Sequence, residues 1–205
     1  HPRVRRQRQM CIRDSPHGEQ SLNGTSATIP FGNTRIQKGG TYNSLFDILI
    51  APAQTTANSA EGVDDSGERI RFNMQRLTSI LDFDLTNSTS DPIRCVLLTA
   101  ESDDFLSAKS LNFDLAQGEA AAPALDTEER SKSILINFDG GSASAAAQLD
   151  AFFNVLPGNY NLNLDIITAT KQMASVKIDR TDKPFEAGVL YKKEVGTLTP
   201  SAIPA

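Results

Sequence analysis

Apolar residues recur at every second position through most of the chain after residue 67. Leu81, Phe83 and Leu85 alternate with Asp82, Asp84 and Thr86, and Ile70, Phe72 and Met74 alternate with Arg71, Asn73 and Gln75. Ile134, Ile136 and Phe138 repeat the pattern, and Tyr160, Leu162, Leu164 and Ile166 alternate with Asn161, Asn163 and Asp165. On a strand, successive side chains point to opposite faces, so each set predicts one buried and one wet face. Ile93–Thr99 is apolar on both faces, which predicts a central strand. Further strands are predicted at Lys109–Leu115, at Ala151–Leu156, around Val176 and Ile178, and at Gly188–Val195. In the last of these, Val189, Tyr191 and Val195 face away from Leu190, Lys192 and Glu194. Turn clusters at Asn87–Pro92, Asp139–Gly141 and Pro157-Gly158 separate these runs. About seven to nine short strands with frequent turns predict an all-β, antiparallel β-sandwich. No strand–helix–strand rhythm appears, which argues against a doubly wound sheet.

The register predicts burial of Ile70, Phe72, Leu81, Phe83, Leu97, Ile136, Phe153, Leu162, Leu164 and Tyr191. A slip of one residue would expose a whole face. The chain ahead of residue 67 reads differently. Pro16–Ser44 is rich in Gly, Ser, Thr and Asn, with Phe31 and Ile36 isolated, and predicts a tail or long loop. Leu45–Ile50 reads as one strand stopped at Ala51-Pro52, and Gln54–Gly67 as a linker or loop. Glu119–Arg130 is expected to be a loop or to hold a helical turn, and Ser142–Leu149 one or two helical turns because Ala and Gln favour helix.

Composition changes this picture at the N-terminus. His1–Ser15 holds five arginines and one acid, and RQRQMCIRDS resembles the conceptual translation of a transposase adapter used in sequencing libraries. Such a scar is excluded from fold reasoning. Without it, 15 basic residues face 24 acidic ones and the net charge moves from −5 to −9. An acidic body does not suit nucleic acid as a partner. Cys95 is then the sole cysteine and His17 the sole histidine. No run of eighteen apolar residues predicts a membrane span, and the native start and signal peptide are expected to lie upstream.

The candidate chemistry is sparse. One histidine in a tail leaves Ser-His-Asp and Cys-His arrangements without a base. Cys95, between Ile93 and Leu97, reads as a buried thiol. Zinc lacks its ligands, and no glycine-rich loop opens a helix to hold phosphate. Asp82 and Asp84 share a strand face and are the main carboxylate pair, with glycoside hydrolysis or calcium as the chemistry weighed against a simple wet face. Asp64-Asp65 and Asp103-Asp104 sit in turn-like segments. Asn23-Gly24-Thr25 and Asn87-Ser88-Thr89 match the glycosylation sequon. The absence of Trp and the presence of only 3 Tyr disfavour an aromatic sugar platform. No catalytic, cofactor-binding or metal site, and no cofactor, is assigned; the expectation is a protein that is not an enzyme.

Several segments together resemble one family, the fimbrillin-like pilins and surface lipoproteins of Bacteroidetes. Asp47-Ile48-Leu49-Ile50-Ala51 resembles the strand that ends the family's first domain. Ile70-Arg71-Phe72-Asn73-Met74-Gln75-Arg76-Leu77 and the strand to Leu85 resemble the opening of its second. Gln75-Arg76 stands where family members often carry His-Ala. FFNVLPGNY over Phe152–Tyr160 and FEAGVLY over Phe185–Tyr191 resemble two further family elements. The resemblance implies a Greek-key, transthyretin-like sandwich over residues 67–199, preceded by the remnant of a first β domain and linker at 16–66 and followed by a tail at 200–205. It also implies a cell-surface or outer-membrane subunit or accessory of a fimbria (stalk, anchor or tip). Such a subunit is a lipoprotein whose partners are other fimbrial subunits joined by β-strand addition, with host or bacterial surface ligands besides. The alternative within the same fold is a non-polymerising surface lipoprotein that binds glycan or protein.

Overall fold

The computed structural model describes residues 21–23, 26–51, 74–102, 105–114, 129–139, 148–180 and 182–203. In chain order the strands are β1 (Ser21–Asn23), β2 (Ser26–Pro30), β3 (Thr34–Lys38), β4 (Leu49–Ile50), β5 (Gln75–Arg76), β6 (Ser79–Asn87), β7 (Ile93–Ala100) and β8 (Ser107–Ala108). They continue as β9 (Ser110–Asp114), β10 (Arg130–Ser131), β11 (Ser133–Asp139), β12 (Gln148–Val155), β13 (Leu162–Thr168), β14 (Gln172–Ile178), β15 (Leu190–Leu198) and β16 (Ser201–Ala202). The fold is an all-β sandwich. A six-stranded sheet in the order β16-β14-β13-β7-β11-β3 lies against a three-stranded sheet in the order β12-β6-β15. The large core between them takes Leu81, Phe83 and Leu85 from β6, Phe153 and Val155 from β12, and the alternating residues of β7, β11 and β13. This is the burial that period-two alternation dictates.

Most of the predicted register is present. Leu81, Phe83, Ile136, Phe153, Leu162 and Leu164 are buried. Leu97 and Tyr191 are only half-buried, and Ile70 and Phe72 lie outside the described residues. Alternation from Ile93 through Cys95 would place Leu97 on the core face. A register shift near Ile167/Thr168 instead puts Val96, Leu98 and Ala100 inward. The pairing is also less uniformly antiparallel than expected, since β3 runs parallel to β11 and β15 parallel to β6.

The segment expected to be a tail or a first-domain remnant is part of this packing. β2 pairs with β9, and Ile29, Phe31 and Ile48 form a second core with Leu111, Phe113 and Leu156. Packing is therefore continuous across the boundary anticipated near residue 67. Similarly, Ser201 and Ala202 pair with Met173 and Gln172 rather than forming a free tail. Leu45–Ile50 is not one strand. The Asn43 side chain accepts a hydrogen bond from the Leu45 N–H and starts a 3-10 turn over Ser44–Phe46, leaving β4 two residues long. The expected helical turns at 142–149 give way to strand at Gln148 and Leu149, where Leu149 reaches the core; residues 142–147 lie outside the described set.

Pro157-Gly158 makes the predicted turn, for a sharper reason than turn propensity. A Cβ on Gly158 would sit 2.5 Å from the Tyr160 hydroxyl. That hydroxyl lies 2.9 Å from the Leu156 carbonyl and 3.0 Å from that of Phe105, and so ties the turn to the neighbouring loop.

Candidate functional site

The two long margins of the sandwich are built differently. At one, β3 stands beside β11 and faces β12, the edge strand of the small sheet. β3 reads Thr34-Arg35-Ile36-Gln37-Lys38, and its inward residues are Arg35 and Gln37, whereas Ile36 is 63% exposed. An edge strand carries unpaired backbone groups that need partners when buried. The Gln37 amide supplies them: Nε2 donates to the Asp150 carbonyl at 2.6 Å, and Oε1 accepts the Phe152 N–H at 3.0 Å. One side chain thus reproduces what the peptide of an adjacent strand would offer. Arg35 continues the seal. Its Nη1 donates to the Asn154 carbonyl at 2.7 Å and its Nε to the Gly32 carbonyl at 3.2 Å.

The Arg35 guanidinium lies over the Phe31 and Phe46 rings, 4.7 and 4.3 Å from their centroids. Among the described residues no carboxylate pairs with it, and its Nη2 has no hydrogen-bond partner. Burial lowers its pKa to about 9, with the nearby Tyr42 acting in the opposite sense. Tyr42 completes the margin: its hydroxyl accepts from Asn154 Nδ2 at 3.0 Å and its ring meets Phe152 edge-on. Burial raises the Tyr42 pKa to about 12, against the hydrogen bond from Asn154.

The opposite margin, between β14 and β15, is open. Along β15 only Leu198 is buried, and along β14 only Ile178. Ala174, Val176, Tyr191 and Val195 reach the large core but remain partly exposed. β16 pairs only with Gln172 and Met173, at the start of β14. β15 also bulges, since Glu194 pairs with Asp84 and Gly196 with Leu85, with Val195 extra and Gly196 at φ +79°. Glycine is suited to that left-handed bulge position.

Asp82 and Asp84 lie, as expected, on one face of β6, the outer face of the small sheet. Asp84 is directly opposite Asp150 on β12 and Glu194 on β15, while Asp82 is opposite Phe152 and Lys192. Asp82 is not simply wet: it is 5% exposed, with Lys192 Nζ 3.5 Å away. Burial and the Asp150 charge push its carboxyl above the ordinary range, with Lys192 pulling the other way.

Among the described residues, the other sequence candidates do not gather into a site. Cys95 is half-buried on the outer face of β7, and burial raises its pKa. Asn87 is fully buried: its Nδ2 donates to the Asp91 carbonyl and its Oδ1 accepts from Thr89 N–H and Oγ1. The sequon there is a turn cap. Asp64, Asp65, Asp103, Asp104, His17 and Gly24-Thr25 lie outside the described residues. Among the described residues no helix is long and apolar enough to cross a membrane. Sequence reasoning missed Arg35 and Gln37. The available signal was a short period-two run whose polar members, not its lone Ile, alternate with exposed positions.

Comparison with known proteins places the fold. No family model matches the chain, and no curated protein does. Among solved structures, it resembles a candidate cell adhesion protein from Bacteroides uniformis ATCC 8492, with 17% identity and a TM-score of 0.53, covering 91% of this chain and 69% of that one. A candidate cell adhesion protein from Bacteroides ovatus ATCC 8483 aligns with 16% identity and a TM-score of 0.48, over 92% of this chain and 64% of that one. At these identities the first likeness establishes a shared sandwich fold.

Proposed function

We propose that this chain is a non-catalytic structural subunit or accessory of a bacterial cell-surface fimbria, assembling with other subunits by β-strand addition. The observation that carries the reading is β3. It is seated at the margin of the sandwich, between β11 and the edge of β12, and it turns Arg35 and Gln37 inward where neighbouring strands offer apolar residues. β3 pairs along its length with β11 but meets β12 only through the Arg35 and Gln37 side chains, and a strand with alternating apolar residues in this seat would fill the core face that those polar side chains now occupy. Such a donor would gain backbone hydrogen bonds and fill the core face in one register. The open margin at β14 and β15 is a second acceptor edge. The adhesion description of the structural neighbour is in keeping with a surface role.

The test is to express the intact protein without its lipid signal, trim it with trypsin, and look for polymers by gel and electron microscopy. Polymers that appear only after trimming support the subunit reading. A trimmed protein that stays monomeric removes it and favours a surface lipoprotein that binds glycan or protein.

A further inference from the structure

The outer face of the small sheet carries a charge arrangement that strand-pairing chemistry disfavours. Asp84 has a carboxylate directly across on each side, Asp150 on β12 and Glu194 on β15. Like charges opposite one another weaken a strand pair. Asp82 adds a fourth carboxylate two residues along the same face. One cation faces the group among the described residues, Lys192, with Nζ 3.5 Å from Asp82 and 3.9 Å from Asp150. It is about half exposed and so neutralises weakly.

Two oxygens in this group are shielded from water and lack a donor, Oδ1 of Asp82 and Oδ1 of Asp84. A buried carboxylate oxygen without a donor raises the free energy of the charged form. Either a cation or a proton could relieve this. Among the described residues no three acidic, histidine or cysteine side chains are arranged to hold a metal ion. A proton needs no such shell: it turns a carboxylate oxygen into a donor and removes a charge at once.

We propose that this carboxylate group is an acid-responsive clasp in which Asp82 takes up a proton as pH falls, lowering the negative charge crowded across β12, β6 and β15 and so stabilising the small sheet. The clasp is independent of the fimbrial reading. The upward shift at Asp82 supports it. The sign follows from linkage. A carboxyl whose folded pKa exceeds its unfolded value binds its proton more tightly in the fold. Stability therefore rises as pH falls through the folded pKa and levels off near the unfolded value of about 3.9. Asp91 works in the opposite sense, because hydrogen bonds from Thr168 and Thr170 hold its carboxyl low, so its contribution is lost only in stronger acid. The useful window lies above about pH 4.

The experiment is thermal unfolding of the wild type, Asp82→Asn and Lys192→Met between about pH 7.5 and pH 4.5. The wild type is expected to gain roughly 2–4 °C on Asp82→Asn across this range, starting below it at neutral pH. Lys192→Met should widen the wild-type change. Parallel profiles for wild type and Asp82→Asn would overturn the proposal. So would calcium raising the melting temperature of the wild type but not of Asp82→Asn at neutral pH, which would make the group a cation site. Should Asp82→Asn fail to fold, carbon-13 titration of the Asp82 carboxyl in the wild type decides. A midpoint above the ordinary value of about 3.9 sustains the clasp, and one at or below it refutes it.

Discussion

The two margins of the sandwich solve the edge-strand problem in opposite ways. At β3 and β12 the backbone of an edge strand is capped by side chains from the other sheet, and the polar residues doing so are buried. At β14 and β15 the backbone is left at the surface and the flanking residues are charged or half-exposed, including Lys192 and Lys193. Charge on an exposed edge discourages uncontrolled pairing. Closure at β3 and β12 thus depends on a few specific hydrogen bonds to buried backbone, whereas β14 and β15 are held by partly exposed packing.

Substitutions at the closed margin should therefore cost more. Arg35→Ala removes the donor to the Asn154 carbonyl and the surface packed on Phe31 and Phe46. A loss of about 3 kcal/mol is expected in chemical denaturation. Arg35→Met keeps the aliphatic volume without a buried charge and should recover part of it; a loss equal to that of the alanine variant would show that the charge itself holds the margin. Gln37→Ala leaves the Phe152 N–H and Asp150 carbonyl without their partner, at a cost of about 1–3 kcal/mol by the same measurement.

The open margin yields smaller numbers. Tyr191→Ala loses an edge-on contact with Phe185, a place against Arg180 and an acceptor for the Glu186 N–H, about 1–2 kcal/mol in all. Lys193→Ser, on an exposed position of β15, should stay within about 0.5 kcal/mol of the wild type. A reversal of order between Gln37→Ala and Lys193→Ser would break the comparison.

The large core was legible because burial there follows hydrophobic alternation, as at Leu81–Leu85 and Leu162–Ile166. The closed margin was not, because β3 inverts the rule: Ile36 faces out and Arg35 and Gln37 face in. Phe31 stood isolated in a polar stretch, yet it is fully buried because its partners, Leu111 and Phe113, lie far along the chain. Leu97 sits in a strand apolar on both faces, so alternation could not choose its side. The carboxylate pair on β6 was visible. That Asp150 and Glu194 would stand across from Asp84 depends on strand order, which no local pattern encodes.

Amide hydrogen exchange, read by mass spectrometry on the intact protein, tests the contrast between margins most directly. The account predicts that the segment 148–155, an edge strand capped by Gln37 and Arg35, exchanges at rates close to those of the central strand 162–168. It predicts that 190–198 exchanges many-fold faster, because exposed edges open locally at low free energy. Equal protection of 148–155 and 190–198, or faster exchange in 148–155, would contradict it.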